Sequence, residues 1–555
     1  MKVVRKFFVL VAFFSLAVAQ DTPVFRTSTQ LVQVSVIVRD KNGPVLGLTK
    51  DAFELFDKGK PQSIAFFQPP SPPGPVAPTS APPPNLFSNR LMQAAAPRAA
   101  TVLLIDFLNT QMPDQQYARK QVLKILSSLD KHQKIAVYSL SDDLKVLQDF
   151  TDDTERLVLA AQRLQSKPSH QLDGSQMQTS LGGGVDQQTD AILNDGLQQM
   201  NDFHTARRVE ITLGAIERIA SHMAGMSGAK SLIWITGSIP SALNLTPNAL
   251  GGPGQTPPTS GGGMSQAVPP AASAPQSHLD ALTLAVRAMN NTGLSIYPVD
   301  ARGLVALPDS ATAMTGGGSR ASSMRSRGPS IRLPDVDTMR DLADRTGGKA
   351  FYGSNDISGA IRQVLDDADA TYVLGFYPDS RTLDKKFHDL KVKVSRGSVD
   401  VRHRKSYYAG EQDHPSDAQQ QTRLREAAVS PVDAAGVGIA AQIAPSSQPG
   451  AFVLRIAFEL ADLSLEHKDD KWKGAANLIL AQQGNDGKIL SLTSEVYSFD
   501  MKDETYRARL KEGLVVDKEI KPEPGLFQVR VLVADQSTGV IGSIHVPAPT
   551  AKRAP

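Results

Sequence analysis

Two uninterrupted apolar runs constrain this chain more than any other feature: Thr101-Val102-Leu103-Leu104-Ile105 and Ser231-Leu232-Ile233-Trp234-Ile235-Thr236. A strand with one wet face alternates apolar and polar residues. A strand without alternation must be covered on both faces, the condition of a parallel sheet flanked by helices. The intervening residues supply the helices. Tyr117, Val122, Ile125, Leu126 and Leu129 give residues 114–130 a helical period. Lys134 to Leu140 predicts the next strand, and Asp152 to Leu164 a helix capped by Asp152 or Asp153. Helices follow over 206–225, 278–291, 335–346 and 356–369, with strands at Leu294–Val299 and Ala350–Tyr352. Such alternation over 99–378 predicts a doubly wound α/β domain. Stretches 166–188, 241–277 and 305–333 are rich in Gly, Ser, Pro and Gln, so they are expected to be surface loops without a core.

The flanks have a different period. Over 20–69, Val32, Val34, Val36 and Val38 alternate with Gln33, Ser35 and Ile37 before the turn Asp40-Lys41-Asn42-Gly43. That segment holds too few strands to stand alone. It is expected to pair with the strands read at 371–408, so that the α/β domain is inserted in a β unit. Residues 70–98 are a Pro-rich linker, 379–408 a β extension and 409–429 a second, polar linker. From 430 to 548 the alternation of Phe452, Leu454, Ile456 and Phe458, and of Phe527, Val529 and Val531, predicts an all-β sandwich. Residues 474–483, 489–500 and 506–516 are read as further strands.

Lys2, Arg5 and Lys6, the apolar stretch Phe7–Leu16 and Ala17-Val18-Ala19 form the three parts of a signal peptide over 1–19. Export to the periplasm or beyond is the expectation, with cleavage near Ala19. No later run reaches the length of a membrane span. The chain has no cysteine, which excludes disulfides, thiolate metal sites and cysteine nucleophiles. Its formal charge of +3 over 555 residues lacks the basic excess of a nucleic-acid binder.

Within the α/β segment, the stretches Thr101–Thr110, Gly293–Asp300, Met339–Phe351 and Tyr372–Tyr377 resemble a von Willebrand factor type A (VWA) domain. With Gly47–Leu55 they resemble, more narrowly, the exported VWA-related proteins of Acidobacteria. The resemblance covers about 20–408. It implies a divalent cation held by Asp-x-Ser-x-Ser after the first strand, a loop Thr, and an Asp after a later strand. Asp106 stands at the Asp position and Thr110 at the second hydroxyl. Leu108 replaces the first Ser, and Gly237 stands where the later Asp is expected. The degenerate site could keep Mg²⁺ or Mn²⁺ on Asp106 and Thr110, helped by Asn109, Thr236 or Ser238. Alternatively Asp106 is a structural carboxylate capping its loop. Thr179 and Thr189 are candidates for the loop Thr. Asp142 and Asp143 follow the second strand.

No His-Glu-x-x-His and no Gly-x-Ser-x-Gly occurs. His388 and His403 are expected in surface pairs, and Tyr407-Tyr408 at an exposed strand end. The expected function is non-enzymatic recognition of a protein partner, of adhesion type. A secreted hydrolase with its site in the C-terminal sandwich and a structural envelope scaffold are the alternatives.

Overall fold

The computed structural model describes residues 25–26, 31–70, 85–90, 99–129, 133–175, 187–226, 228–239, 285, 288–289, 291–304, 334–378, 384, 386–410 and 416–549. Its central sheet runs Leu144–Thr151, Lys134–Leu140, Ala99–Asp106, Ala229–Thr236, Leu294–Asp300 across its width. In chain rank this order is third, second, first, fourth, fifth. All neighbours are parallel except the edge strand Leu144–Thr151. The order reverses between Ala99–Asp106 and Ala229–Thr236, so the switch point of a doubly wound sheet lies at their carboxyl ends.

The two apolar runs are buried along their whole length. Val102, Leu104, Leu232, Trp234 and Ile296 pack on one side with Val209, Ile216 and Ile219 of the helix Gln187–Met223. Leu103, Ile105, Ile233, Ile235 and Val299 pack on the other with Val122, Leu157 and Val364. Successive side chains thus enter two different cores, which is why neither run could alternate. The helices Met112–Leu126, Thr154–Gln162, Pro334–Thr346 and Ile357–Asp369 stand where periodicity placed them. Asp153 is the cap of the second, accepting from the N–H groups of Glu155 and Arg156.

Several details differ from the sequence reading. The strand Leu144–Thr151 was missed because Lys145, Gln148 and Asp149 break its apolar pattern, as an edge position allows. Ala350–Tyr352 is reduced to a single bridge, Phe351 to Val299. The helix expected at 206–225 begins earlier, at Gln187, and His170–Ser175 within the 166–188 stretch is helical. The stretches 241–277 and 305–333, expected to be surface loops, lie outside the described residues, as do most of 278–291, residues 1–19 and most of 70–98.

Tyr372–Phe376 does not belong to the α/β sheet. It pairs antiparallel with Val32–Asp40 in the register Tyr372↔Val36 to Phe376↔Val32. Lys386–Val394 pairs with Phe53–Asp57. Val34, Val36, Leu55, Tyr372, Leu374, Phe376 and Leu390 share one core. The two flanking segments are therefore one β unit, completed only after the chain has traversed the α/β domain. This is the pairing expected between 20–69 and 371–408; the boundary drawn at 378 falls instead before Tyr372.

The C-terminal region forms two facing sheets, one six-stranded and one four-stranded. Phe452, Leu454, Ile456 and Phe458 meet Leu478, Leu480, Val529, Val531 and Val533 between them. Leu86–Ser88, from the expected linker, joins the four-stranded sheet, and Phe25–Arg26 joins the six-stranded one. The second linker contains the helix Asp417–Val429, opened by a capping box at Ser416 and Gln419. Ala428 packs on the outer face of the larger sheet against Ile479 and Leu532. The strand expected at 506–516 is a helix, Asp503–Glu512, followed by the strand Leu514–Ile520. Asp503 and Glu504 in its first turn, Arg509 and Lys511 in its last, and Gly513 at φ 73° are ordinary helix signals. Tyr506 stacks on Trp472 at 4.2 Å.

Candidate functional site

Asp106 ends its strand at the switch point with no exposed surface. One carboxylate oxygen accepts the backbone N–H of Asn109 at 2.9 Å. The other accepts Asn109 Nδ2 at 2.8 Å, Trp234 Nε1 at 2.9 Å and Thr236 Oγ1 at 3.0 Å. Three of these four donors thus converge on one oxygen, and the Thr236 hydroxyl also lies 2.8 Å from the Ser238 carbonyl. Burial pushes the pKa of Asp106 up, while its hydrogen bonds to Asn109, Trp234 and Thr236 pull it down; the net shift is upward.

Asn109 is the hub. Its Nδ2 also donates to Thr212 Oγ1 at 3.0 Å, and its Oδ1 accepts Nε of Arg208 at 2.9 Å. Arg208, itself buried, reaches Ser238 Oγ at 3.1 Å with Nη2. Thr110 Oγ1 accepts the N–H of Gly237 at 2.8 Å. A side chain at Gly237 would start 3.1 Å from Thr110 Cα and 3.2 Å from Asn109 O, tighter than most real contacts. The loop is fastened from below as well. Gln115 Nε2 donates to the carbonyls of Phe107, Thr110 and Lys167, and Ser169 Oγ donates to that of Leu108.

Asp106, Asn109, Thr110, Thr236 and Ser238 are thus brought together, as expected of a switch point. The residues present do not fit a divalent cation. Such an ion needs several oxygen ligands with open positions. Here the carboxylate is buried and already accepts from Asn109, Trp234 and Thr236, the Thr110 hydroxyl is engaged, Leu108 is buried and apolar, and a guanidinium joins the network through Asn109 and Ser238. Among the described residues no group of three His, Asp or Glu could hold a metal. Thr179 lies outside the described residues, and Thr189 falls on the helix Gln187–Met223 with its side chain undescribed. The hydroxyl from that helix which reaches the cluster is Thr212. Asp142 and Asp143 are exposed, and Asp143 pairs with Arg218 at 2.9 Å.

Sequence reasoning missed Arg208 and Thr212. Their signal was present: they lie four residues apart, in line with Ala215 and Ile219 of a buried helical stripe. Polar residues in such a stripe require buried partners.

A second polar cluster joins the α/β domain to the sandwich. His222 lies between the Asp433 carbonyl at 2.6 Å and the Asp149 carboxylate at 3.1 Å. Tyr138 donates to Asp149, and Arg530 and His545 both contact Asp433. Burial lowers the His222 pKa, but Asp149 and Asp433 more than offset this and raise it. Despite burial, His222 holds Asp149 low, and His545 with Arg530 holds Asp433 low. This cluster holds a serine, a histidine and a carboxylate, but not the geometry of a nucleophile. Ser543 Oγ accepts from Arg530 and from the N–H of Ala434, and Ser543 is wholly buried.

The expectation for His388 and Tyr407 is corrected. Both are buried in the split β unit: His388 lies between Asp57 at 2.9 Å and Asp384 at 3.0 Å, and Tyr407 donates to Asp57. His388 takes an inward position of the alternating strand Lys386–Val394, and Tyr407 lies opposite it on Ser406–Ala409.

No protein-family model and no curated protein sequence matches this chain. Solved structures do. They include the vWF domain of the type V pili tip protein Mfa5 from Porphyromonas gingivalis, at 13% identity and TM-score 0.25, covering 49% of this chain and 95% of that one. A von Willebrand factor type A protein from Catenulispora acidiphila matches at 9% identity and TM-score 0.22, covering 95% and 76%. An aerotolerance-related membrane protein from Bacteroides fragilis matches at 10% identity and TM-score 0.24, covering 48% and 98%.

Proposed function

We propose that this chain is an exported, non-enzymatic binding protein of adhesion type whose recognition face is the carboxyl edge of the α/β sheet and works without a metal ion. The observation that carries this reading is the Asp106–Asn109–Arg208 network. It lies at the switch point, where doubly wound sheets place ligands. Its charge is balanced from within by a guanidinium. The chain leaves this same edge after Thr236 and after Asp300, and the stretches 241–277 and 305–333 follow. A pre-formed polar floor at the edge from which the chain twice leaves the sheet suits recognition of a protein surface. Among the described residues no helix is long and apolar enough to cross a membrane.

Capture experiments with the immobilised mature chain and envelope extract test this. The partner should be retained equally with and without chelator, and lost when 247–275 is deleted, with thermal stability nearly unchanged. Titration calorimetry with Mg²⁺ and Mn²⁺ should give no binding heat. Micromolar affinity abolished by Asp106→Ala would overturn the metal-free reading. Capture that survives the deletion would move the recognition surface elsewhere. N-terminal sequencing of the exported chain should begin at Gln20.

A further inference from the structure

An open cleft of about 550 Å³ lies where the split β unit meets the α/β domain. Arg39, Lys41 and Arg402 line it from the β unit and Lys349 from the α/β domain, with Asp40 and Asp400 beside them. In the ladder between Val32–Asp40 and Asp400–His403, Arg39 stands opposite Asp400, and Arg402 opposite Ile37. Side chains alternate along a strand, so Arg39 and Arg402 leave one face while Val36 and Val38 enter the core from the other. The arginine face is turned to the helix Ile357–Asp369. There the wholly buried Asp367 accepts Nη1 of Arg39 on one carboxylate oxygen and Nη2 of Arg402 on the other. Near the start of Ala229–Thr236, Lys230 Nζ reaches Gln33 of the β unit at 3.3 Å, so this unit borders the amino edge of the parallel sheet. The cleft is thus separate from the carboxyl edge around Asp106, and binding in it can fail while recognition at that edge stands.

One carboxylate does not balance two guanidiniums. Each is held to Asp367 through one nitrogen of a group with five donors. Their side chains stay 33% and 21% exposed, enough to meet a ligand. Arg402 Nε has no acceptor among the described residues. Asp40 is taken by Arg396 at 3.2 Å. Lys41 is exposed and makes no ion pair among the described residues. Of the charged groups that line the cleft or pair with those that do, five are cationic and three anionic. A surplus of two positive charges in a concave site attracts a dianion.

We infer that this cleft binds a sugar phosphate. Guanidinium forks match the oxygens of a phosphate group. A phosphomonoester carries about −1.5 to −2 at neutral pH, which meets the surplus, whereas a carboxylate carries only one charge. The cleft is much larger than a phosphate alone and falls within the range of about 300–1,000 Å³ that holds small organic molecules. None of the described residues lining it is apolar. Gln363, whose Oε1 accepts Lys349 Nζ at 3.3 Å, the exposed Ser398 and Asp400 offer partners for hydroxyl groups. Arg39 and Arg402 take the phosphate oxygens, Lys41 and Lys349 complete the charge balance, and the sugar lies against Gln363, Ser398 and Asp400.

Titration calorimetry of the full mature chain with glucose 6-phosphate tests this. Binding heat is expected, none should come from glucose, and added salt should weaken the affinity. Lys41→Gln with Lys349→Gln should weaken it about tenfold and leave the melting temperature almost unchanged, because both lysines are exposed. Arg39→Lys should also weaken it, since an ammonium keeps the charge and loses the fork. If Arg39→Lys unfolds the chain, the lysine pair still decides. Lys488→Gln, on the sandwich, should change nothing. No heat with glucose 6-phosphate, equal binding of glucose, or an affinity unmoved by the double substitution would each overturn the inference. Retention on vesicles of phosphatidic acid without binding of glucose 6-phosphate would overturn it too, in favour of a lipid surface.

Discussion

The sheet of the α/β domain and the larger sheet of the sandwich solve opposite problems. In the first, Ala99–Asp106 and Ala229–Thr236 are buried throughout, and the Asp106 network gathers at the carboxyl end. In the second, Ile489–Lys502 is mostly exposed, with polar and apolar residues mixed along its length. The first sheet presents side chains at its end, and the second presents backbone at its edge. The difference teaches where perturbation should be felt. Groups at the buried end are held by several partners each, so changing one unsettles a network. Groups on the open edge have few partners within the chain, so changing one should leave folding almost untouched.

Breaking the buried end should have the largest effect. Asp106→Ala strands the donors of Asn109, Trp234 and Thr236 and should cost about 3–5 kcal/mol in denaturant unfolding. A loss below about 1 kcal/mol would show that the carboxylate is not the anchor of the loop. Arg208→Met should cost less, about 2–3 kcal/mol, because it leaves Asn109 Oδ1 and Ser238 Oγ without that donor. Were the cluster a cation site in disguise, Mg²⁺ would raise the melting temperature of Arg208→Met; no rise is expected.

The junction sharpens the comparison through pH. The folded pKa of His222 is raised, so its contribution is full below its unfolded value and is lost as pH rises through the folded one. Asp149 and Asp433 are lowered, so theirs is present above the ordinary carboxylate value and is lost as pH falls through the folded ones. Contact between the α/β domain and the sandwich should therefore be firmest in mildly acidic solution. It should weaken toward alkaline pH as His222 discharges. His222→Gln should flatten the alkaline limb in hydrogen exchange of residues 430–436. An unchanged limb would assign the titration to another group.

The smallest effect is expected on the open edge. Leu492→Thr should change the stability of the single chain by no more than about 0.5 kcal/mol, measured by denaturant unfolding at high dilution. A large loss of stability would mean that the edge is covered.

Much of this architecture was legible in the sequence. The uninterrupted runs at 101–105 and 231–236 and the helical periods between them specified a sheet covered on both faces, because no other environment accepts such strands. Strict alternation from Phe452 to Phe458 did the same for the sandwich. Asp106, Asn109, Thr110, Thr236 and Ser238 could be nominated because the ends of apolar strands are fixed by local pattern. What local pattern could not supply was the partner across a long separation. Val36 meets Tyr372, and Asp57 meets His388, only because the α/β domain returns the chain to where it left. Arg208 lies 99 residues from Asn109, and helical period tells that it is buried but not what it faces. A carboxylate at a strand end suits either a metal or a cap, and its chemistry is set by the donors packed around it. Those donors come from two separate elements, the loop after Ala99–Asp106 and the strand Ala229–Thr236, so tertiary structure alone decided that Asp106 is held by Asn109, Trp234 and Thr236, with a guanidinium one residue beyond.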